Sequence, residues 1–252
     1  MSTSPMTAPA QRASDGAPSI SSLPPELRDP LLALGANPSD SAIQAMEWAV
    51  KNDVSGALKH LIAAQRLRST KDNDFAGRCL LETASSLLAE AASFGHGECM
   101  RELLPWADAT HDNSAALRCA AYSGYAEGVR MLIPVSHPLS IESMAFRWAI
   151  NGVVATGSME CVNLLLPVSD PNASDCSALR SAVEVGAPAE LTELLFSLFK
   201  ATPTLPDIFA VAKKARKSGQ NRAANAIHAL AESRDLSLST QAQPARAVGL
   251  RI

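Results

Sequence analysis

Residues 115–134 read AALRCAAYSGYAEGVRMLIP, and the spacing within this stretch decides the fold because it recurs along the chain. Leu117 lies seven residues before Gly124 and the small Ala120 lies four before it, while Val129 and Leu132 follow at plus five and plus eight. On each side of the Gly the apolar positions have the spacing of one face of a helix. The stretch therefore predicts two short helices joined by a turn at Gly124.

Six segments of the chain follow this rule. Their central residues are Asp53, Gly95, Gly124, Gly157, Gly186 and Gly219. A turn that ends a helix in the left-handed conformation suits Gly, which has no Cβ, and Asp is one of the few other residues that tolerates it. Internal repetition of this kind predicts a fold built from stacked repeats.

Proline and the repeat length add detail. A Pro follows ten residues after three of the Gly residues, at Pro105, Pro134 and Pro167, where it is predicted to end the second helix. From Gly95 onward the Gly-to-Gly intervals are 29, 33, 29 and 33 residues. The difference is about one helical turn, so the longer copies should carry an extra turn in the first helix or a longer connector. The first interval, 42 residues, predicts an insertion at 65–75.

The composition favours the same fold class. The chain has 252 residues, of which 47% are hydrophobic and 4% aromatic, and no sustained alternation of β-branched or aromatic residues marks a strand. We predict an all-α solenoid of stacked antiparallel helix pairs, because one pair cannot bury its apolar face alone. The net charge of −3 provides no general attraction to nucleic acid or acidic membranes, and no apolar stretch has the length of a transmembrane helix.

The ends of the chain differ from the repeats. Residues 1–22 are rich in Ser, Thr, Ala and Pro and lack the apolar region of a signal peptide. We predict that they and the tail 236–252 are disordered, which leaves a repeat domain at 23–235 with five to six repeats. Its last copy contains the basic run AKKARKSGQNR at 212–222, interpreted as a polar C-terminal cap. The alternative is an electrostatic patch for phosphate or nucleic acid.

Motifs for chemistry are not found. The sequence has no Gly-rich phosphate loop, no His-Glu-x-x-His and no Gly-x-Ser-x-Gly, and its five His residues are scattered. Five cysteines without a CxxC pair argue against a disulfide framework or a zinc site. Cys99 and Cys161 share one repeat position, which predicts buried packing thiols. We assign no catalytic residue, no metal, no cofactor and no small-molecule substrate.

The repeats resemble the ankyrin repeat family, in a degenerate, bacterial-looking variant that ends in Leu-Leu-Pro. The strings AALRCA at 115–120 and SALRSA at 177–182 stand where that family has Thr-Pro-Leu-His-x-Ala, with Arg in place of His. The strings GHGEC at 95–99 and GSMECV at 157–162 match its second half. The resemblance spans residues 42–232 and implies helix pairs that bind a protein partner on the concave side of the first helices.

In that family the concave positions lie one and two residues before the Gly. The partner-binding site predicted from these positions and from the connector after Pro105 comprises Lys51, Phe94, Trp106, His111, Asp112, Tyr122 and Glu184. Phe94 and Tyr122 stand out because aromatic anchors dominate many interfaces. The alternative is that Phe94 packs under the insertion and Tyr122 is simply exposed. Trp48 and Trp148 are predicted to pack within or between repeats.

The sequence thus predicts a non-enzymatic interaction scaffold, a cytoplasmic monomer that binds a protein partner and neither a membrane nor nucleic acid. One alternative is an effector exported to a host cell by its disordered N-terminal segment. Another is an F-box-like adaptor at 23–34, because LPPEL at 23–27 followed by Leu31, Leu32 and Leu34 resembles the opening of that module. A Pro-initiated helix that covers the first repeat explains the same string.

Overall fold

The computed structural model describes residues 20–33, 41–68, 74–198 and 205–217, together with residues 219, 221, 224, 225, 227–229, 231 and 232. Every regular element in these ranges is helical and none is a strand, which confirms the all-α class. The chain divides into two compact units, Met1–Thr83 and Ala84–Ile252. Residues 1–19 and 236–252, predicted to be disordered, lie outside the described residues.

The first unit contains a 310 turn at Ile20–Ser22 and three helices, α1 (Pro25–Ala33), α2 (Ala42–Lys51) and α3 (Ser55–Arg68), and it ends within α4 (Asp74–Phe94). Ser41 begins α2 with a capping box: its Oγ accepts from the Gln44 amide at 3.4 Å, and Gln44 Oε1 accepts from the Ser41 amide at 2.9 Å. Helices α2 and α3 pack together around Asp53, which has φ 55°.

The N-terminal edge of this unit starts earlier than residue 23. Ile20 is fully buried, so the ordered structure includes the end of the segment predicted to be disordered. Helix α1 begins at Pro25, and its Leu27 side chain lies against Gly56 of α3. This is the arrangement expected of a Pro-initiated helix over the first repeat. A truncation that preserves folding must therefore end before Ile20.

The described residues of the insertion predicted at 65–75 are helical. Helix α3 has 14 residues and continues to Arg68, and α4 has 21 residues and begins at Asp74. Residues 69–73 between them lie outside the described part. Most of the additional length of the first interval therefore extends the two helices.

The second unit continues from residue 84 of α4 through eight further helices. They are α5 (Gly97–Leu103), α6 (His111–Ser123), α7 (Ala126–Leu132), α8 (Ser140–Thr156), α9 (Glu160–Leu165), α10 (Ala173–Val185), α11 (Ala189–Ser197) and α12 (Leu205–Lys217). The first helices α6, α8, α10 and α12 each contact the next, and so do the second helices α5, α7 and α9. Each helix pair therefore packs against its neighbours in chain order.

The predicted turns and stops are confirmed. All five central Gly residues have φ between 72° and 81°, and Asp53 shares the left-handed conformation. Helices α5, α7 and α9 end two residues before their Pro. In the copies around Gly124 and Gly157 the Pro lies inside a short 310 turn that follows the α-helix. Helix α11, which has Phe196 instead of Pro at the tenth position after its Gly, continues for nine residues.

The apolar positions of the repeat form the core. In each copy the residue seven before the centre and the small residue four before it are buried. In three copies the second residue of the Leu-Leu or Leu-Ile pair is less well covered, because Leu104, Ile133 and Leu166 are half-buried. In the copy around Gly186 the first residue of the pair, Leu194, is 36% exposed, while the second, Leu195, is buried. In the copy around Gly157 the residue four before the centre is the larger Val153, and it too is buried. Ala223 of the last copy lies outside the described residues.

The close approach in that copy occurs at Gly152. A Cβ at this position would lie 2.5 Å from the Tyr122 carbonyl oxygen and 2.8 Å from that of Ala121. Real Cβ atoms do not come so near to backbone oxygens, so α8 can pack against the end of α6 only with Gly at this position.

The segments that join the pairs share an unusual backbone. Residues 104–114, 133–143 and 166–174, here called the connector segments, follow α5, α7 and α9. Positive φ occurs at three consecutive residues in the first segment, Asp112–Ser114, and at three in the second, Ile141–Ser143. In the third segment Ser174 has φ 52°. Each non-glycine residue in this conformation costs about 1–2 kcal/mol, so the surrounding packing must hold these turns in place.

Buried polar residues hold the connector segments. Ser85, Ser114 and Ser143 are at most 4% exposed, and their hydroxyls accept from the amides of Asp108 at 2.8 Å, His137 at 2.9 Å and Asp170 at 2.8 Å. A fourth residue, the half-buried Asn172, donates from Nδ2 to the Leu198 carbonyl at 3.3 Å. We call Ser85, Ser114, Ser143 and Asn172 the polar ladder.

The polar ladder explains the alternation of repeat lengths. Its members are each 29 residues apart, whereas the Gly interval between Gly124 and Gly157 is 33. The additional turn lies in α8, which has 17 residues against 13 in α6. This confirms that the first long copy carries an extra turn in its first helix. In the second long copy, residues 199–204 of the connector lie outside the described part.

Candidate functional site

Tyr122 projects from the end of α6 on a defined support. Its side chain is 50% exposed, and its ring meets that of Trp148 edge to face, with the centroids 5.6 Å apart. Trp148 lies on α8, one turn before Gly152, so the close approach of the two helices brings the rings together. The expectation that Trp148 packs between repeats is thereby confirmed.

Arg118 connects this aromatic pair to the connector segment before α6. Its guanidinium lies 5.5 Å from the centre of the Trp148 ring. The same group donates to Asp112, at 3.0 Å to Oδ2 and 2.8 Å to the carbonyl oxygen. The Arg118 side chain is only 14% exposed, whereas that of Asp112 is 65% exposed, so the ion pair itself is open to solvent. Asp112, Arg118, Trp148 and Tyr122 therefore form one connected set, here called the aromatic platform.

Phe94 occupies the corresponding end of α4. It is 54% exposed and its ring stacks on that of His96, with centroids 5.4 Å apart. The Ser123 hydroxyl donates to the Ala92 carbonyl at 3.2 Å and so joins the ends of α4 and α6. Phe94 and Tyr122 lie at equivalent helix ends in adjacent copies, but no ring contact between the two is seen.

The predicted connector residues have mixed environments. Trp106 is half-buried and its amide donates to the Leu103 carbonyl at 2.9 Å, while His111 is exposed. Between them, Asp108 Oδ1 accepts from the Thr110 hydroxyl at 2.6 Å and from the Thr110 amide at 2.8 Å. These two hydrogen bonds stabilise the carboxylate and lower the pKa of Asp108 below its ordinary value. Asp108 is therefore a fixed negative charge at neutral pH.

The remaining predicted residues lie elsewhere. Glu184 is exposed on α10 and forms an ion pair with Lys214 of α12. Lys51 is exposed at the end of α2, in the first unit. Of the seven residues predicted, the structure connects Asp112 with Tyr122 through Arg118 and Trp148.

Some of the concave positions that the resemblance implies are not exposed. In the first five copies the residue two positions before the centre is exposed, from Lys51 in the first copy to Glu184 in the fifth. The residue one position before the centre is half-buried in three of these copies, at Asn52, Ser123 and Val185. Asn52 Nδ2 donates to the Trp48 carbonyl at 2.8 Å, and Ser123 binds Ala92 as described. Ser123 is thus a partly buried residue whose hydroxyl lies between the carbonyls of Ala92 and Ala120, at 3.2 Å from each.

The end of the second unit carries positive charge. Lys213, Lys214, Arg216 and Lys217 of α12 are exposed, while Ala212 and Ala215 on its other side are buried. Lys214 pairs with Glu184, and Arg216 donates to Asn225 at 3.2 Å. These four basic side chains therefore form a solvated face of α12 in the last copy of the repeat.

Groups for chemistry are sparse in the described part of the chain. No group of three or more His, Cys, Asp or Glu side chains there could hold a metal ion. Burial is the main cause that raises the pKa of Cys161 to about 11, and it also raises the pKa of Cys119. Both thiols stay protonated at neutral pH, which makes them poor nucleophiles.

Sequence reasoning missed Arg118, Gly152 and the polar ladder. Arg118 was identified only as a departure from the family's His, and Gly152 followed no repeat rule. The ladder had a signal, a small polar residue every 29 residues from Ser85 to Asn172, but the unequal Gly intervals obscured it.

No family model matches the chain, and neither a curated protein nor a solved structure is significantly similar to it. Among the described helices none is both long and apolar enough to cross a membrane.

Proposed function

We propose that this chain is a non-enzymatic protein-interaction scaffold, built as an ankyrin-like solenoid of five to six helix pairs. Two properties of the second unit support the solenoid: helix pairs that contact the next pair in chain order, and a Gly turn of one conformation in every copy. Such an array exposes a row of equivalent helix ends, where a partner can bind without any change of fold.

The aromatic platform is the observation that carries the proposed function. Tyr122 is half-exposed, yet its orientation is fixed by Trp148, which in turn lies under Arg118. An exposed aromatic side chain that is already ordered loses little conformational entropy when a partner covers it. Residues of this type contribute about 2 kcal/mol or more to many interfaces.

Affinity capture with matched variants tests the proposal. Full-length chain, the double variant Phe94→Ala/Tyr122→Ala and the control Asn163→Ala are immobilised and incubated with extract of the source cells. Asn163 is exposed on α9, away from the first helices. Circular dichroism spectra of all three must agree, so that loss of capture cannot reflect unfolding.

A discrete set of proteins should bind to the wild type and to Asn163→Ala and should fall at least tenfold with the double variant. If the three baits capture the same proteins in the same amounts, these helix ends are not the binding surface and the proposal fails.

A further inference from the structure

The connector segment at 133–143 exposes three aliphatic side chains. Val135 is 49% exposed, Leu139 61% and Ile141 42%, and Leu139 is the most exposed large hydrophobic residue in the described part of the chain. Ile141 also has φ 43°, a conformation that is especially unfavourable for a β-branched residue. Neither burial nor backbone preference within this chain accounts for an Ile there.

The connector segments are acidic in composition. The three connector segments contain Asp108, Asp112, Glu142 and Asp170 and no Lys or Arg. The chain as a whole is nearly balanced, with 22 Lys and Arg against 25 Asp and Glu, so the charge of the connector segments is a local property. Arg118 neutralises Asp112, whereas Glu142 is exposed and has no ion-pair partner among the described residues.

The first two connector segments are fixed to each other. The His137 amide donates to Ser114 Oγ at 2.9 Å, and the Ser140 hydroxyl donates to Asn113 Oδ1 at 3.4 Å. Asn113 is next to Asp112, through which Arg118 leads to Trp148 and Tyr122. The aliphatic residues and the aromatic platform therefore belong to one continuous, ordered part of the second unit.

We propose that Val135, Leu139 and Ile141, with the carboxylates of Asp108, Glu142 and Asp170, form a connector surface that binds a basic partner segment with aliphatic side chains. The proposal rests on the scaffold function proposed above and specifies the class of partner. Aliphatic side chains of the partner would cover Leu139 and Ile141, and its Lys or Arg side chains would pair with the carboxylates. A purely basic ligand leaves the aliphatic residues exposed, and a purely apolar one leaves the charges unpaired.

Synthetic peptides test this specificity on the full chain. The probe is four repeats of Arg-Leu-Ser, and the matched controls are four repeats of Glu-Leu-Ser and of Arg-Asn-Ser, each measured by fluorescence anisotropy at low and high salt. The protein variants are Leu139→Ser/Ile141→Asn and Glu142→Gln. Asn tolerates the left-handed conformation better than Ile, so the double variant should fold at least as well as the wild type. Ile43→Ser, at a 39% exposed site on α2, is the control.

The Arg-Leu-Ser peptide should bind most tightly, and more weakly as salt rises. Its affinity should fall at least tenfold with Leu139→Ser/Ile141→Asn, a few-fold with Glu142→Gln, and not at all with Ile43→Ser. Equal binding of the Arg-Asn-Ser peptide, or an unchanged affinity in the double variant, would overturn the proposal. So would a concentration-dependent dimer that the double variant abolishes, because the occupant would then be a second copy of the chain.

The two proposals fail in different ways. Loss of capture by Phe94→Ala/Tyr122→Ala without specific peptide binding refutes only the connector surface. Specific peptide binding with unchanged capture refutes only the role of the aromatic helix ends.

Discussion

Replacing Ser85 by Ala should destabilise the protein, whereas the same change at the adjacent Ser86 should not. Both residues lie inside α4, so each Ser→Ala change gains the same helix propensity, about 0.5 kcal/mol. Ser85 is 4% exposed and its hydroxyl accepts from the Asp108 amide at 2.8 Å, while Ser86 is exposed. The pair of variants therefore isolates one rung of the polar ladder.

The expected magnitude follows from the amide that is left behind. A buried donor without an acceptor costs about 1–3 kcal/mol, so Ser85→Ala should be less stable by about 0.5–2.5 kcal/mol after the gain in propensity. Ser86→Ala should be slightly more stable than the wild type. The equilibrium constant for local opening that exposes the Asp108 amide should be about fivefold to 150-fold larger in Ser85→Ala than in Ser86→Ala.

Amide hydrogen exchange resolved at Asp108 is the direct assay, and urea unfolding followed by circular dichroism gives the overall stability. A local measurement is needed because neighbouring repeats can unfold separately. If Asp108 exchanges at the same rate in both variants and their stabilities agree within about 0.5 kcal/mol, the polar ladder does not hold the connector segments.

Three further outcomes are expected. Gly124→Ala should lower the melting temperature more than Gly157→Ala, because both positions have positive φ but only the first Cβ would meet Thr156, at 2.9 Å; equal shifts in calorimetry would contradict this. The pKa of Asp108 is lowered on folding, so its stabilising contribution is complete above its ordinary value and disappears as pH falls through the folded-state pKa. Asp108→Asn should therefore lower the melting temperature at neutral pH and match the wild type in strong acid, and a constant difference would refute the assignment. The pKa of Cys161, about 11 against an ordinary 9.0, reduces its thiolate fraction about a hundredfold, so iodoacetamide in mildly alkaline buffer should label Cys79 well before Cys161 in peptide maps. Equal labelling would contradict the burial of Cys161.

The sequence predicts the helix pairs because their determinants are local. Gly and Asp at the centres of the copies reach positive φ, Pro ends the second helices, and apolar spacing defines the buried face. Each of these signals acts within one or two turns of the residue that carries it. For this reason the turns, the stops and the core agree with the structure even though the copies share few identical residues.

Features that depend on contacts between copies are not predictable in this way. Gly152 is required because the backbone of α6 lies against it. Ser123 is half-buried, and its hydroxyl lies within hydrogen-bond distance of the Ala92 carbonyl of α4. The left-handed turn at Ile141 contradicts the residue's own preference, so tertiary packing must impose it. Within the candidate site the sequence identifies Tyr122 and Asp112, whereas the link through Arg118 and Trp148 exists only after the helices pack.

The constant spacing of the polar ladder also determines where such repeats can change length. Hydrogen bonds to Ser114 and Ser143 hold the connector segments at a constant spacing of 29 residues. An insertion within the connector segment between these two residues would break those hydrogen bonds. Beyond Ser143, α8 accommodates four more residues than α6. Four residues rotate a helix by about 40° beyond a full turn, so the apolar stripe still faces its neighbour. Repeats of different lengths can therefore be recombined at their connector segments, while added helical turns are best introduced near the Gly.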